Sequence, residues 1–122
     1  MRKSHLAAAN ALLAGKAGKH GNGITRPCTI AGERVGTELT LFGNVIAVLY
    51  DPAPAGGQRL LVRDAGWQSA TTKAWINSIL SEVGQVAPGT GIRQVKGQWL
   101  LVDGAGLTRP WNGSTVVFKG GL

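Results

Sequence analysis

Arg109, Pro110, Trp111, Asn112 and Gly113 put a guanidinium, an indole and an amide within four residues. A guanidinium grips phosphate through parallel N–H donors and an indole offers a face on which a base stacks, so this loop has the inventory for holding a nucleotide. The competing reading is that Trp111 caps the core. Other cations extend the set. Arg59 and Arg63 fall on one face of a strand with Leu61 between them, where basic side chains either line an anion-binding groove or flank the core edge. Arg93 lies just before the Lys96-Gly97 turn and shares a strand face with Val95. Lys73 and Asn77, followed by Ser81, recur every four residues along the polar side of a helix, a pattern that usually marks a solvated face.

No set of residues organises a reaction. Gly15, Lys16, Ala17, Gly18, Lys19 and His20 invite comparison with a phosphate-binding loop, but the spacing is wrong and the preceding segment reads as a helix rather than a strand. A Ser/His/Asp system would need His5 or His20 as its base, both in the sparse N-terminal region. One cysteine, Cys28, excludes an intramolecular disulfide and a cysteine-based metal cluster. The six carboxylates, Glu33, Glu38, Asp51, Asp64, Glu82 and Asp103, are dispersed. The expectation is a protein that binds rather than catalyses, without cofactor or metal.

The elements that must position these groups follow from periodicity and punctuation. Residues 4 to 14 read as a short helix, with Ser4 as N-cap, an alanine-rich body and Gly15 as its stop. Residues 15 to 23, with four glycines and a basic bias, read as a linker. Strands are expected over 25–30, 36–42 and 44–50, the last a nearly continuous apolar run suited to a central strand. Asp51 to Gln58, rich in proline and glycine, is a loop, and 59–63 returns as the next strand of a hairpin. After the Gly66-Trp67 turn, Trp75, Ile76, Ile79, Leu80 and Val83 form one helical stripe over 72–83, with Thr71 or Thr72 as cap and Gly84 as stop. A meander over 92–95, 98–102 and 115–118 closes the chain.

The 122 residues suit a single core, and 43% hydrophobic content with 16% charge argues for a folded chain. Two parts are expected: a basic N-terminal helix and glycine-rich linker over 1–24, and one α+β domain over 25–122. The charge of +7 and pI near 10.4 favour anionic partners. That charge is front-loaded, since Arg2, Lys3, Lys16, Lys19 and Arg26 all precede the first acid, Glu33. No apolar run approaches the roughly 20 residues that span a bilayer, so no membrane is expected and the location is read as cytoplasmic.

Taken together, Val45 to Tyr50, Gly66 to Leu80 and Gln94 to Val102 resemble small uncharacterised proteins carried by phages and other mobile elements. The shared features are an apolar strand, a Gly-Trp turn, paired threonines with a basic residue ahead of a helix, and a later strand pair with Gln and Trp. This resemblance implies a phage-type origin and the cytoplasm of an infected bacterium as the setting. In size, element order and basic character the chain is also similar to phage anti-Thoeris sponge proteins, which sequester cyclic nucleotide signals. That likeness implies counter-defence but carries over no site residues.

The expected fold is α+β: an antiparallel sheet of about six strands, the 72–83 helix on one face and the N-terminal helix as an appendage. The expected function is capture of a phosphate-bearing ligand, such as a cyclic nucleotide immune signal, by Arg109, Trp111 and Asn112 with Lys73, Asn77, Arg59, Arg63 and Arg93. The alternatives are a nucleic-acid-binding regulatory module using the basic N-terminal arm, and an inhibitor of an acidic protein. A homo-oligomer is compatible with each.

Overall fold

The computed structural model describes residues 3–52, 58–66, 69–83, 89–102, 107–113 and, for the backbone alone, 116–119. Helix α1, Lys3–Ala14, begins one residue before the expected cap. It ends as the glycine dictates: Gly15 takes φ +68°, its N–H donates to Leu12 O at 3.2 Å, and Lys16 N–H donates to Ala11 O at 2.9 Å. These two bonds form a Schellman cap that satisfies carbonyls the helix leaves unpaired.

The stretch expected as a linker is instead ordered by tertiary contacts. Strand β1, Gly18–His20, pairs antiparallel with β2, Gly23–Ile30. Buried Thr25 secures the hairpin, its hydroxyl donating to Lys16 O at 2.9 Å. The same oxygen lies 3.0 Å from His20 Nε2, from which it accepts. Strands β3, Glu33–Leu41, and β4, Asn44–Tyr50, continue the meander, followed by β5, Arg59–Val62. The turns Ala31-Gly32 and Phe42-Gly43 place both residues at positive φ, the backbone that a two-residue hairpin loop requires.

Helix α2 spans Ala70–Val83 and starts earlier than its apolar stripe. Its cap is Ser69, whose Oγ accepts from Thr72 N–H at 3.2 Å and whose carbonyl accepts from Lys73 N–H at 3.0 Å. The expected caps, Thr71 and Thr72, therefore lie inside the helix. Trp67, Gln68 and Gly84 lie outside the described residues. Then follow β6, Gly91–Val95, and β7, Gln98–Val102, joined by the expected Lys96-Gly97 turn, with both residues at positive φ, 51° and 78°. Next come β8, Thr108–Pro110, and β9, Val116–Lys119.

The class is α+β, but the strands divide between two antiparallel sheets, one of six strands in the order β1-β2-β3-β4-β5-β9 and one of three in the order β6-β7-β8. The last strand leaves the meander that its sequence position suggests and pairs with β5, with Leu60 opposite Phe118 and Leu61 opposite Val117. Both helices pack on the face of the six-stranded sheet that carries Leu39, Leu41, Ala47, Leu49, Leu60 and Val62. Rather than forming an appendage, α1 contributes Ala8, Ala9 and Leu12 to that core, where alanines allow close approach to α2. His5 is buried with it. Its Nδ1 lies 2.8 Å from Ser78 Oγ on α2, and its ring lies 4.1 Å from that of Trp75.

Candidate functional site

The residues singled out for ligand binding fall in separate places. Trp111 is 4% exposed and stacks on Trp99 with ring centroids 6.0 Å apart, and its backbone N–H donates to the Trp99 carbonyl. Its ring belongs to the core and offers no face to a base, so the competing reading of that indole is correct. Asn112 beside it is exposed, as is Arg109. Arg109 stands opposite Leu101, which stands opposite Ile92, whereas Arg93 stands opposite Leu100 and, across the next strand, Pro110. Directly paired residues share a face, so Arg93 and Arg109 lie on opposite faces of the three-stranded sheet.

Asn77 has a structural assignment. Its Oδ1 accepts from Ile92 N–H at 2.7 Å and its Nδ2 donates to Ile92 O at 3.0 Å, so one side chain completes both hydrogen bonds of a residue on the β6 edge. Lys73 reaches Gln94 Oε1 at 3.5 Å. Together they tie α2 to the three-stranded sheet. Removing the clamp leaves the Ile92 amide and carbonyl unpaired, so Asn77→Ala is expected to cost about 2 kcal/mol in urea denaturation and to speed hydrogen exchange at Ile92. An unchanged exchange rate there would show that the clamp is dispensable.

Arg59 and Arg63 do share a surface, as alternation requires. Leu60 and Val62 point into the core, leaving Arg59, Leu61 and Arg63 on the outer side of the six-stranded sheet. Strand register places their neighbours. One row across the sheet runs Arg26, Glu38, Val48, Leu61, and the next runs Cys28, Gly36, Tyr50. Arg59 continues the second row, its guanidinium carbon 5.2 Å from the centroid of the half-buried Tyr50 ring, and Lys119 stands opposite Arg59 in register. Arg63 Nε donates to Val45 O at 2.8 Å, and its terminal nitrogens have no carboxylate partner among the described residues.

Among the described residues the ion pairs are Arg26–Glu38, at 2.8 Å, and Arg34–Asp51, at 3.7 Å. Arg59 and Arg63 therefore carry charge that no carboxylate of the described residues neutralises, on either side of apolar Leu61. In the same region desolvation, reinforced by the Glu38 charge and a hydrogen bond to it, pushes the Cys28 thiol above its ordinary value, with Arg26 opposing. A thiol held protonated is a poor nucleophile. No group of His, Cys, Asp and Glu among the described residues has the arrangement to hold a metal ion, and no described helix is long and apolar enough to cross a membrane.

Tyr50 was absent from the sequence-derived set. The available signal was its place as the only tyrosine, two residues before Pro52, at the mouth of a hairpin whose next strand begins with arginine.

Comparison with known families adds the lineage. The profile described as Kyanoviridae Gp96 protein matches residues 1–117. The chain belongs to the Kyanoviridae Gp96 family. That membership supports the phage-type resemblance of the middle segments and extends it across nearly the whole chain, from α1 to the start of β9. The similarity to anti-Thoeris sponge proteins has no counterpart in the comparisons. No curated protein and no solved structure matches this Gp96-family chain.

Proposed function

We propose that this phage protein is a non-enzymatic binder of single-stranded nucleic acid, working in the cytoplasm of the infected bacterium through the outer face of the six-stranded sheet. The observation that carries the reading is the Tyr50–Arg59 pair, a phenol ring with a guanidinium 5.2 Å from its centroid, on a face where Arg59 and Arg63 have no carboxylate partner among the described residues. Aromatic rings and guanidinium planes stack on any base, and unneutralised cations beside them take phosphate, so the combination favours a single strand without demanding sequence. A strand laid across the sheet would meet Arg26, Tyr50, Arg59 and Arg63 over successive rows. The dispersal of the remaining cations fits a polymer better than an enclosed nucleotide, for which Trp111 would have to leave the core.

Fluorescence anisotropy with a labelled single-stranded oligonucleotide tests this reading. Affinity should fall steeply with salt, with a log–log slope of about −2 if three phosphates are neutralised. Arg59→Glu with Arg63→Glu should weaken binding by roughly tenfold or more, while Arg93→Glu, on the other sheet, should not. Equal effects at both places would reassign the interface to diffuse charge. A small nucleotide released in stoichiometric amount on heating the purified protein would instead favour the sponge reading.

A further inference from the structure

The β3–β4 turn places a phenylalanine where the backbone favours something else. Ala31-Gly32, Phe42-Gly43 and Lys96-Gly97 are two-residue hairpin turns with one pattern of φ, 53° and 82°, 51° and 81°, and 51° and 78°. Left-handed backbone is unfavourable for a bulky side chain, and asparagine is the favoured first residue of a hairpin turn with both φ positive. The other two turns use a small residue and a flexible polar one. Phe42 gains little burial in return, since 67% of it is exposed, and a Cβ placed on Gly43 beside it would meet nothing within 4 Å. Asn44 steadies the turn without the ring, its Nδ2 donating to Phe42 O at 3.2 Å. Neither packing nor turn geometry accounts for an aromatic residue here.

Register identifies what stands next to the turn. Leu39 and Leu41 belong to the core, so Thr40 lies on the outer face, and the row through it runs Lys19, Ile24, Thr40, Val45. Arg63 closes that row, since its Nε donates to Val45 O, two residues past the turn. The row contains no carboxylate, and the cations at its two ends, Lys19 and Arg63, are exposed. β4 therefore has an aromatic residue and an arginine at each end, Tyr50 with Arg59 at one and Phe42 with Arg63 at the other. The 7 residues of β4 set the two ends roughly 20 Å apart.

We propose that Phe42 is a second stacking platform for the same single strand, the far end of a track that begins at Tyr50 and follows β4. The proposal rests on the reading of the outer face as a nucleic-acid-binding surface and adds a length to it. An aromatic ring stacks on any base, and a guanidinium beside it takes the neighbouring phosphate. Small β-domains that bind single strands cover about 4 to 16 nucleotides, and a track of roughly 20 Å belongs at the short end of that range. A lone ring also suits a base better than a bilayer. The residues around it in the turn, buried Leu41, Gly43 and polar Asn44, add no apolar surface that a membrane would take up.

Labelled oligothymidylates of increasing length, read by fluorescence anisotropy, test the track. Affinity of the unaltered protein should climb as the strand grows from about 3 to about 8 nucleotides. Phe42→Asn should match it on the shortest strand and bind the longest roughly tenfold more weakly, while Phe42→Trp, which keeps an aromatic face, should bind both as the unaltered protein does. Phe42→Asn should also unfold at a higher urea concentration, because asparagine suits the turn, whereas loss of a structural residue would lower the midpoint. Undiminished binding of the longest strand by Phe42→Asn, or a lowered midpoint, overturns the inference. So does an effect of Phe42→Asn on binding to phosphatidylglycerol vesicles alone, which would assign the ring to a membrane surface. A protein that binds strands of every length without regard to Phe42 loses only this inference, whereas one that binds no strand at all loses the proposed function with it.

Discussion

Gly36→Ala should lower stability by about 3 kcal/mol in chemical denaturation, a large loss for the addition of one methyl group. A Cβ at Gly36 would lie 2.5 Å from Leu49 O and 2.8 Å from Tyr50 Cα. Both are backbone atoms of β4, so no rotamer change makes room. The strands must separate where Gly36 stands opposite Tyr50, at the end of the β3–β4 ladder, and the next pairs along it, Thr37 with Leu49 and Glu38 with Val48, move with them. Gly18→Ala is the control, since its new Cβ would meet the His20 ring edge at 3.2 Å, and a side-chain end can yield. A Gly36→Ala loss no greater than that of Gly18→Ala would mean that β3 and β4 slide apart more readily than their packing implies. Because Gly36 also lies in the Cys28–Gly36–Tyr50 row, a destabilised but folded variant should show reduced nucleic-acid affinity through displacement of Tyr50.

Trp75→Ala should be at least as costly, about 4 kcal/mol, and its effect should spread beyond α2. The indole lies where three elements meet. The His5 ring of α1 is 4.1 Å away, Ile76 and Ile79 beside it are fully buried, and Gly23 of β2 is so close that a Cβ there would sit 2.8 Å from Trp75 Cη2. Truncation leaves a cavity on the side where α1 docks and removes one wall of the His5 site. Hydrogen exchange should therefore accelerate throughout α1 while β6 and β7, which sit on the other side of α2, keep their protection. Uniform acceleration across the chain would show instead that α1 and the three-stranded sheet unfold as one unit. A helix of this length is marginal in isolation, so α1 depends on this docking for its existence.

The dependence on docking explains what was legible in the sequence and what was not. Local signals were read correctly wherever a strand or helix is decided by its own residues. The apolar run 44–50 is β4, the stripe from Trp75 to Val83 is the buried side of α2, and Lys96-Gly97 is a turn with both residues at positive φ. β1 escaped because Gly18, Lys19 and His20 have no strand-forming character of their own. Their conformation comes from pairing with Ile24 and Thr25 and from the hydroxyl of Thr25. The division into two sheets was not readable, because no periodicity states that β9 passes over its sequence neighbours to reach β5.

The same distinction holds at the candidate site. Alternation alone placed Arg59 and Arg63 on one face. It could not bring Tyr50 to Arg59 or Arg26 to Glu38, since those contacts depend on register between strands, and register slips at Cys28/Thr29 and at Leu39/Thr40. Trp111 illustrates a different limit. A loop with Arg, Trp and Asn has the same composition whether its indole meets a base or another indole, and only the position of Trp99 decides.

The pairing of β5 with β9 also has a consequence during synthesis on the ribosome. The meander from β1 to β4 emerges as a run of hairpins, each able to form as soon as its second strand leaves the exit tunnel. β5 can join β4 at once, but its far edge waits while α2 and the whole three-stranded sheet are translated. Throughout that interval the nascent chain presents Leu60, Leu61 and Val62 on an unpaired strand, the kind of edge that invites aggregation or a chaperone. A stop codon or a ribosomal stall within the intervening segment would therefore release a polypeptide with most of its hairpins made and an adhesive edge exposed.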